Sequence, residues 1–529
     1  MMIMNRESGS SVSQEHPILL RHQLAYGGGN LLGSGALAIS GAWLLYFYTT
    51  FCGLTLIQAS LIFSIASIVD AISNPVIGHI TDTFGRTRLG QMFGRRRFFV
   101  MLGVPMMLFY PLLWVDGFGF WYYLATYIVF ELIYTSVMVP YETLATEMTA
   151  NFTARTKLTG YKALFGKVAN FLAAFIPGQF ILIYGKESSK PFLYTGITYA
   201  AIMCIAIFCL HHYSWERARD PKELEEKSGG LFRNLITLVQ NMLSTFYLGV
   251  FRKHLGMYLC GSGAEWLFTA VFTYFVIFVL QYDPSAVAGL NSLNSILQLF
   301  STMAFIAICV KFGFSKPYIS ALAIVVFAVI CYSMVYFFQI PSTEATVIMI
   351  GITVIFGFGT GGVYYIPWSV YTFLADIDEV YTGRRREGIY AGSMTFTSKI
   401  VRSIVVFAMG VILSFFGFQS KAHVQPESAV HAIVGVLLIG VTVLALMAMF
   451  FSYRMKLNRK NHQIVLQEVS RIKAGGKMSD IQPDVRAVIE DLVGHKYEEC
   501  WGNNAICRKM NASADYVQQD AALAATNSK

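Results

Sequence analysis

One aspartate stands well inside an apolar run: Asp70-Ala-Ile-Ser-Asn74-Pro75-Val-Ile-Gly78-His-Ile-Thr-Asp82, with Arg86, Arg88, Arg95, Arg96 and Arg97 following closely. Counted back from Ile80, where the apolar run stops, Asp70 lies roughly 15 Å deep at 1.5 Å per helical residue, near the middle of a hydrocarbon core about 30 Å thick. A carboxylate at that depth is costly, and burial favours its neutral form, so it is suited to binding a cation or exchanging a proton. Secondary transporters place their ion and substrate sites at this level.

Other charges fall at similar depth. Glu131, Lys167 and Glu265 each lie about ten residues from the nearer polar helix end. Lys399 stands roughly 18 Å along its helix from Glu387, and Arg402 shares its face at i+3. Together with Asp70 these residues are expected near one plane. They could simply pair with one another to offset desolvation, Glu131 with Lys167 being the best-placed couple because their helices are consecutive. Asp70 and Lys399 are instead expected to be functional.

The elements that must carry these residues are membrane helices. Of the 529 residues 55% are hydrophobic and only 13% charged, with a mean hydropathy of +0.53, whereas soluble domains carry about 25% charged residues. Apolar segments fall near 31–52, 56–80, 98–115, 119–141, 158–184, 192–212, 255–281, 288–310, 317–339, 345–374, 388–417 and 429–452. The expectation is an all-α polytopic membrane protein of twelve spans.

Lys and Arg sort to alternate connections: Arg86 to Arg97, Arg155 and Lys157, Arg217 to Arg252, Lys311, Arg384 to Arg386 and Arg454 to Lys460 lie on one side, against Lys186, Lys190 and Lys421 on the other. The positive-inside rule then makes both termini cytoplasmic and assigns the formal charge of +9 to lipid topology rather than to nucleic acid. No cleavable signal is expected, since residues 1–24 lack a continuous apolar stretch. The eight cysteines show no zinc-site spacing, and a reducing compartment disfavours disulfides.

A polar segment between spans six and seven divides the chain into a first bundle (1–212), a central cytoplasmic loop (213–254), a second bundle (255–453) and a cytoplasmic tail (454–529). The bundles echo each other locally. Pro140-Tyr141 leads to Glu147 and then Arg155 eight residues on, and Pro367-Trp368 leads to Asp376 and then Arg384, again eight on. This favours duplicated halves. In the tail, Ile464, Val465, Val469 and Ile472 recur at helical spacing, as do Val485, Val488, Ile489 and Leu492, predicting two amphipathic helices before a disordered end.

The chain resembles the glycoside-pentoside-hexuronide:cation symporters, the melibiose-permease-like family of the major facilitator superfamily. The resemblance is carried by Tyr26-Gly27-Gly28-Gly29-Asn30, Asp70-Ala-x-x-Asn74-Pro75-x-x-Gly78, Gly94-Arg95-Arg96-Arg97, Val139-Pro140-Tyr141 to Glu147, and Ala375-Asp376-x-Asp378 leading to Gly383-Arg384-Arg385-Arg386-Glu387-Gly388. It implies two six-helix bundles rocking about a sugar site, with the cation site on span two at Asp70 and Asn74. It also implies gating roles for Asp82, Arg86 and Arg95 to Arg97 in the loop after span two, and it matches Lys399 to the family's span-eleven lysine. Asp376 and Arg384 are the corresponding loop charges of the second half, and Glu131 and Glu265 are treated as buried gating charges.

Departures from the sodium-coupled members bear on substrate. The acid that binds sugar on span one is replaced by Gly35, the second cation-binding acid by Asn74, and the acid and tryptophan of span four by Met138 and Glu142. Lys162 falls where many members carry a substrate-contacting arginine; it could instead snorkel to lipid headgroups. Trp43, Tyr364, Tyr365, Trp368 and Tyr371 are candidates to stack on sugar rings, Trp368 being preferred beside the helix break at Pro367.

These expectations add up to a monomeric, cation-coupled sugar symporter in a bacterial-type inner membrane, surrounded by lipid and lacking a cofactor or any enzymatic constellation. The coupling ion is H+ or Na+, with H+ favoured because Asn74 removes a charge. With Lys399, Arg402, Lys162, Lys167, Trp368, Tyr365 and Glu142 as substrate contacts, an acidic sugar such as a uronide is expected. Alternatives are a neutral oligosaccharide or xyloside symporter, a lysolipid carrier of the same fold, and a sugar sensor that does not transport.

Overall fold

The computed structural model describes residues 17–149, 152–216, 231–384, 386–504 and 507. Among these, twelve helices are long and apolar enough to cross a membrane: Leu20–Thr50, Leu56–Thr81, Arg97–Trp114, Phe120–Ala145, Lys157–Tyr184, Lys190–Tyr213, Gly249–Val279, Pro284–Phe312, Ser315–Phe337, Glu344–Thr382, Gly388–Phe415 and Glu427–Arg454, spans one to twelve. Each matches an expected apolar segment. Span one starts at Leu20 rather than near 31, because its first turns bury Gln23 and a run of glycines, a polar entry that hydropathy does not register. Span ten reaches Thr382 because a 3-10 turn at Tyr371–Phe373 leads straight into the helix Leu374–Thr382.

Local sequence explains how the functional helices are set. Span two is opened by a capping box in which the Thr55 hydroxyl accepts from the Gln58 amide at 3.2 Å and Gln58 Oε1 accepts from the Thr55 amide at 3.0 Å. Span one contains two π-helical stretches, Leu31–Ala36 and Ser40–Leu44, whose wider turns leave carbonyls that the lipid interior cannot solvate. Neighbouring spans satisfy them. Tyr199 donates to the Leu31 carbonyl at 2.9 Å, Tyr134 to Gly33 at 2.9 Å and Thr273 to Ala42 at 3.0 Å.

Within the first half span two packs on four, one on five and three on six; within the second, eight packs on ten, nine on ten and twelve, and seven on eleven and twelve. The halves meet where two packs on eleven and five on eight. Those two pairs exchange under a shift of six spans, as duplicated halves require.

The seam is tight at mid-depth and toward the face opposite the termini. Ser64 donates to the Ser403 carbonyl at 2.9 Å, Thr49 and Tyr274 share a hydrogen bond of 3.3 Å, and Lys421 N donates to the Thr49 carbonyl at 3.1 Å. On the terminal side of these contacts Tyr364 and the Glu142 side chain are about half exposed, 49% and 51%. The described hydrogen bonds between spans two and eleven and between spans one and seven thus lie away from the face that carries the termini.

The two expected tail helices are Arg459–Lys473 and Pro483–Val493. They bury Val465, Val469, Ile489 and Leu492 and pack on each other and on the terminal face of the second half. The small-residue end beyond Cys507 and the charged run at 223–227 lie outside the described residues.

Candidate functional site at the seam between the halves

Asp70 is the meeting point of three helices. Its Oδ2 pairs with the Lys399 ammonium from span eleven, and its Oδ1 accepts from the Thr135 hydroxyl of span four and from the Asn74 amide at 3.1 Å. The side chain is 5% exposed. Helical spacing places Asn74 one turn beyond Asp70, where its amide also donates to the Asp70 carbonyl at 2.6 Å, with Ser73 Oγ on the same carbonyl at 3.0 Å. Every partner of the carboxylate is thus a donor.

Two more charges complete this cluster. Arg402, one turn beyond Lys399, lies with its guanidinium 5.0 Å over the Phe63 ring and close to Gly41 of span one. Among the described residues it makes no ion pair. Glu131, one turn before Thr135, is 3% exposed and has Tyr127, Asp70, Lys399 and Arg402 as its polar and charged neighbours. Its Oε2 is buried without a hydrogen-bond partner.

A second cluster stands across the cleft. Lys167 of span five donates to Gln298 Oε1 of span eight at 2.8 Å and lies 4.3 Å over the Tyr364 ring of span ten; Gln298 in turn donates to Glu265 Oε1 of span seven at 3.4 Å. The alternative Glu131–Lys167 couple is not formed. Spans four and five are joined in sequence, but span four lies against span two while span five lies against spans one and eight, so the two side chains face different seams. For the same reason the six buried charges form two groups rather than one.

Closer to the terminal face Lys162 forms an ion pair with Glu142 and lies 5.4 Å from the centre of the Tyr141 ring. This couple joins spans five and four within the first half, and gives Lys162 a protein partner rather than a place among headgroups.

The aromatic candidates divide. Tyr364 faces the cleft. Tyr365 accepts from Ser369 Oγ at 3.3 Å, and Trp368 packs edge-on against Tyr258 and Tyr371 at 5.7 Å each. Trp43, expected to stack on a sugar ring, is instead fully buried among Tyr46 and Phe192 on the closed side of the seam. Gly35 lacks room for any side chain, because a Cβ there would fall 1.4 Å from the Tyr199 hydroxyl.

On the terminal face each half holds its loop charges differently. Arg95 and Arg96 both pair with Glu147, and Glu216 accepts from the backbone amides of Arg95, Arg96 and Arg97 at 3.1, 2.7 and 2.5 Å, a carboxylate set on the N-terminus of span three. In the second half Asp376 meets His462 of the tail at 2.8 Å. The arginine eight residues after an acid that is held by it is Arg386, paired with Asp378 at 2.6 Å, with Tyr390 donating to the same carboxylate at 2.7 Å. Arg384 carries an exposed side chain, and the side chains of Asp82 and Arg86 lie outside the described residues.

Sequence reasoning missed Thr135, Gln298, Tyr127, Glu216 and His462, and named Asp378 in a motif without giving it a role. Thr135 was within reach, since it stands one turn from Glu131 on a face already marked by a buried charge. Gln298 and His462 act across long sequence separations that spacing does not encode.

The twelve spans thus form two packed halves joined by an ion-paired seam. The chain belongs to the family described as MFS/sugar transport protein, which matches residues 25–459. It is 26% identical over 496 residues to the uncharacterized symporter sll1374 of Synechocystis, covering 78% of this chain and 89% of that one. It is 22% identical over 425 residues to the putative glycoside/cation symporter YagG of Escherichia coli, covering 79% and 87%. It is also 23% identical over 476 residues to a putative sulfoquinovose importer of Escherichia coli, covering 86% and 94%. The crystal structure of a D-xylose-proton symporter shares the fold with a TM-score of 0.58 at 15% identity, covering 83% of this chain and 97% of that one. The protein is a multi-pass membrane symporter of the major facilitator type for a sugar and a cation.

Proposed function

We propose that this symporter takes an acidic sugar or short oligosaccharide, uronide-like or otherwise anionic, into the cell with a proton, across a bacterial-type inner membrane and with both termini cytoplasmic. The observation that carries the substrate class is that two cations at the seam are held by neutral groups: Lys167 by Gln298 and the Tyr364 ring, Arg402 by the Phe63 ring. A bound carboxylate or sulfonate would gain charge-assisted hydrogen bonds from either. The similarity to a putative sulfoquinovose importer agrees with this, since that sugar carries a sulfonate.

Proton rather than sodium coupling is supported by the surroundings of Asp70. Sodium needs several oxygen ligands, whereas Asp70 is ringed by an ammonium, a hydroxyl hydrogen and an amide NH2. The arginine-rich connections on the terminal face support a cytoplasmic reading of that face by the positive-inside rule, and the half-exposed Tyr364 and Glu142 on that side of the seam support reading this conformation as an inward-facing stage of alternating access.

Uptake into vesicles against a panel of uronides, sulfonated sugars and neutral glycosides, under imposed proton or sodium gradients, tests the reading. Acidic sugars should accumulate with an inward proton gradient, and Arg402→Gln should weaken their binding by about 2 to 5 kcal/mol, the range for truncating one member of a buried charge pair. Neutral analogues should lose much less. Preferential uptake of neutral glycosides, or strict sodium dependence, would overturn it.

A further inference from the structure

Asp70 has a full set of partners and Glu131 does not. Four ionisable side chains make up their cluster, two acids and two bases, so with all four ionised the cluster is neutral and Arg402 has its charge balanced by Glu131. The geometry does not suit that state. Glu131 Oε2 is buried with no donor against it, and an ionised oxygen without a donor in a water-poor interior is costly. The groups facing Glu131 are Tyr127 from its own helix, Asp70 from span two, and Lys399 and Arg402 from span eleven. Lys399 is already committed to Asp70, and Arg402 rests on Phe63.

From this geometry we infer that Glu131 is the proton-carrying group of the symporter, and that its proton decides whether Arg402 can accept an anion. This rests on the proton and acidic-sugar reading given above. With Glu131 neutral, Asp70 and Lys399 cancel and Arg402 leaves the cluster with one positive charge. A substrate carboxylate restores neutrality. When the proton leaves Glu131 to water on the open side, the new carboxylate competes with the substrate's for Arg402, and the anion is released. Proton and anion thus raise each other's affinity at two distinct groups, as reciprocal linkage demands. Asp70 serves in this scheme as the fixed counter-ion that keeps Lys399 from claiming Glu131.

The balance can be read as current. One proton carried to the glutamate and one monoanion carried to the arginine move no net charge, so wild-type uptake of a monoanionic sugar in vesicles should be driven by a pH gradient and be electrically silent. Glu131→Gln, permanently neutral, should still move the anion downhill but lose pH-driven accumulation, and its uptake should carry negative charge inward. Glu131→Asp should recover pH-driven accumulation at a lower rate. Infrared spectroscopy of the purified, substrate-free protein supplies a readout independent of transport: a protonated carboxyl band, absent in Glu131→Gln and shifted in Glu131→Asp. Retention of that band, or of pH-driven accumulation, in Glu131→Gln would overturn the assignment. If wild-type protein instead accumulates no acidic sugar while the band still maps to Glu131, the substrate reading fails and the proton site stands.

Discussion

Lys399 of span eleven is the ammonium partner of Asp70 of span two, so a single ion pair ties the two halves together at mid-depth. Removing one member of a buried pair strands the other and typically costs about 3 to 5 kcal/mol, whereas removing both costs far less. Asp70→Asn should therefore abolish gradient-driven accumulation and lower thermal stability, while some substrate exchange survives. Asp70→Asn combined with Lys399→Gln should regain most of the stability without regaining accumulation. Full accumulation by the single variant, measured in vesicles, would remove Asp70 from the coupling machinery.

The closed side of the seam depends on glycine. A Cβ on Gly410 of span eleven would fall 2.2 Å from Ser60 Oγ and 3.2 Å from the Leu56 carbonyl of span two. Gly410→Leu should wedge the halves apart there and shift the population toward conformers open to the opposite face. Cysteines placed on that side should react faster with a membrane-impermeant thiol reagent, and transport should slow. Unchanged labelling would show that the seam relaxes around the added side chain.

Span one should resist restoration of the family's sugar-binding acid. Gly35 faces the Tyr199 hydroxyl, which is fixed by its bond to the Leu31 carbonyl at 2.9 Å in the π-helical turn. Overpacking of this kind costs about 1 to 3 kcal/mol, so Gly35→Ala should lower the midpoint of thermal unfolding. Gly35→Ala in a Tyr199→Phe background should lose less, and equal losses in both backgrounds would point to helix geometry rather than to the hydroxyl.

The tail has its own pH dependence. Burial pushes the Glu468 carboxyl up, but hydrogen bonds from Arg471 and Tyr497 more than offset it, leaving its pKa below the usual carboxylate value. A carboxyl depressed in the folded state stabilises above its unfolded pKa and loses that stabilisation as pH falls through the folded one. The docked tail should hold at neutral pH and loosen only in acid beneath the ordinary glutamate range. Trp501, which donates to Tyr497 at 3.2 Å, reports this by fluorescence; Glu468→Gln should flatten the acid transition.

Much of the architecture is legible in the chain because lipid imposes a simple rule on it. Each run of apolar residues became a span, and the depth arithmetic that singled out Asp70 and Lys399 led to two residues that touch. Depth alone could not say which way a side chain turns. Glu131 and Lys167 have equal claims to each other by depth and by hairpin adjacency, yet their helices pack on different neighbours. Likewise the acid–arginine spacing that drew attention to Asp376 and Arg384 belongs, as an ion pair, to Asp378 and Arg386 two residues on. Asp376 found His462, 86 residues away in sequence, and no local pattern encodes that.

Each half ends up fastened by a segment that follows it in the chain. Glu216, just after span six, clasps the start of span three through three backbone amides. The tail, after span twelve, offers the amides of Trp501 and Gly502 to the carbonyls of Val380 and Tyr381 at 2.7 and 3.2 Å, while Lys473 meets Glu379 at 2.6 Å. Among the described residues neither clasp crosses to the other half. A gene cut between the codons for Glu216 and Leu231 would thus encode two polypeptides that each keep their own clasp, and co-expression of the pair should rebuild a working carrier from separate pieces.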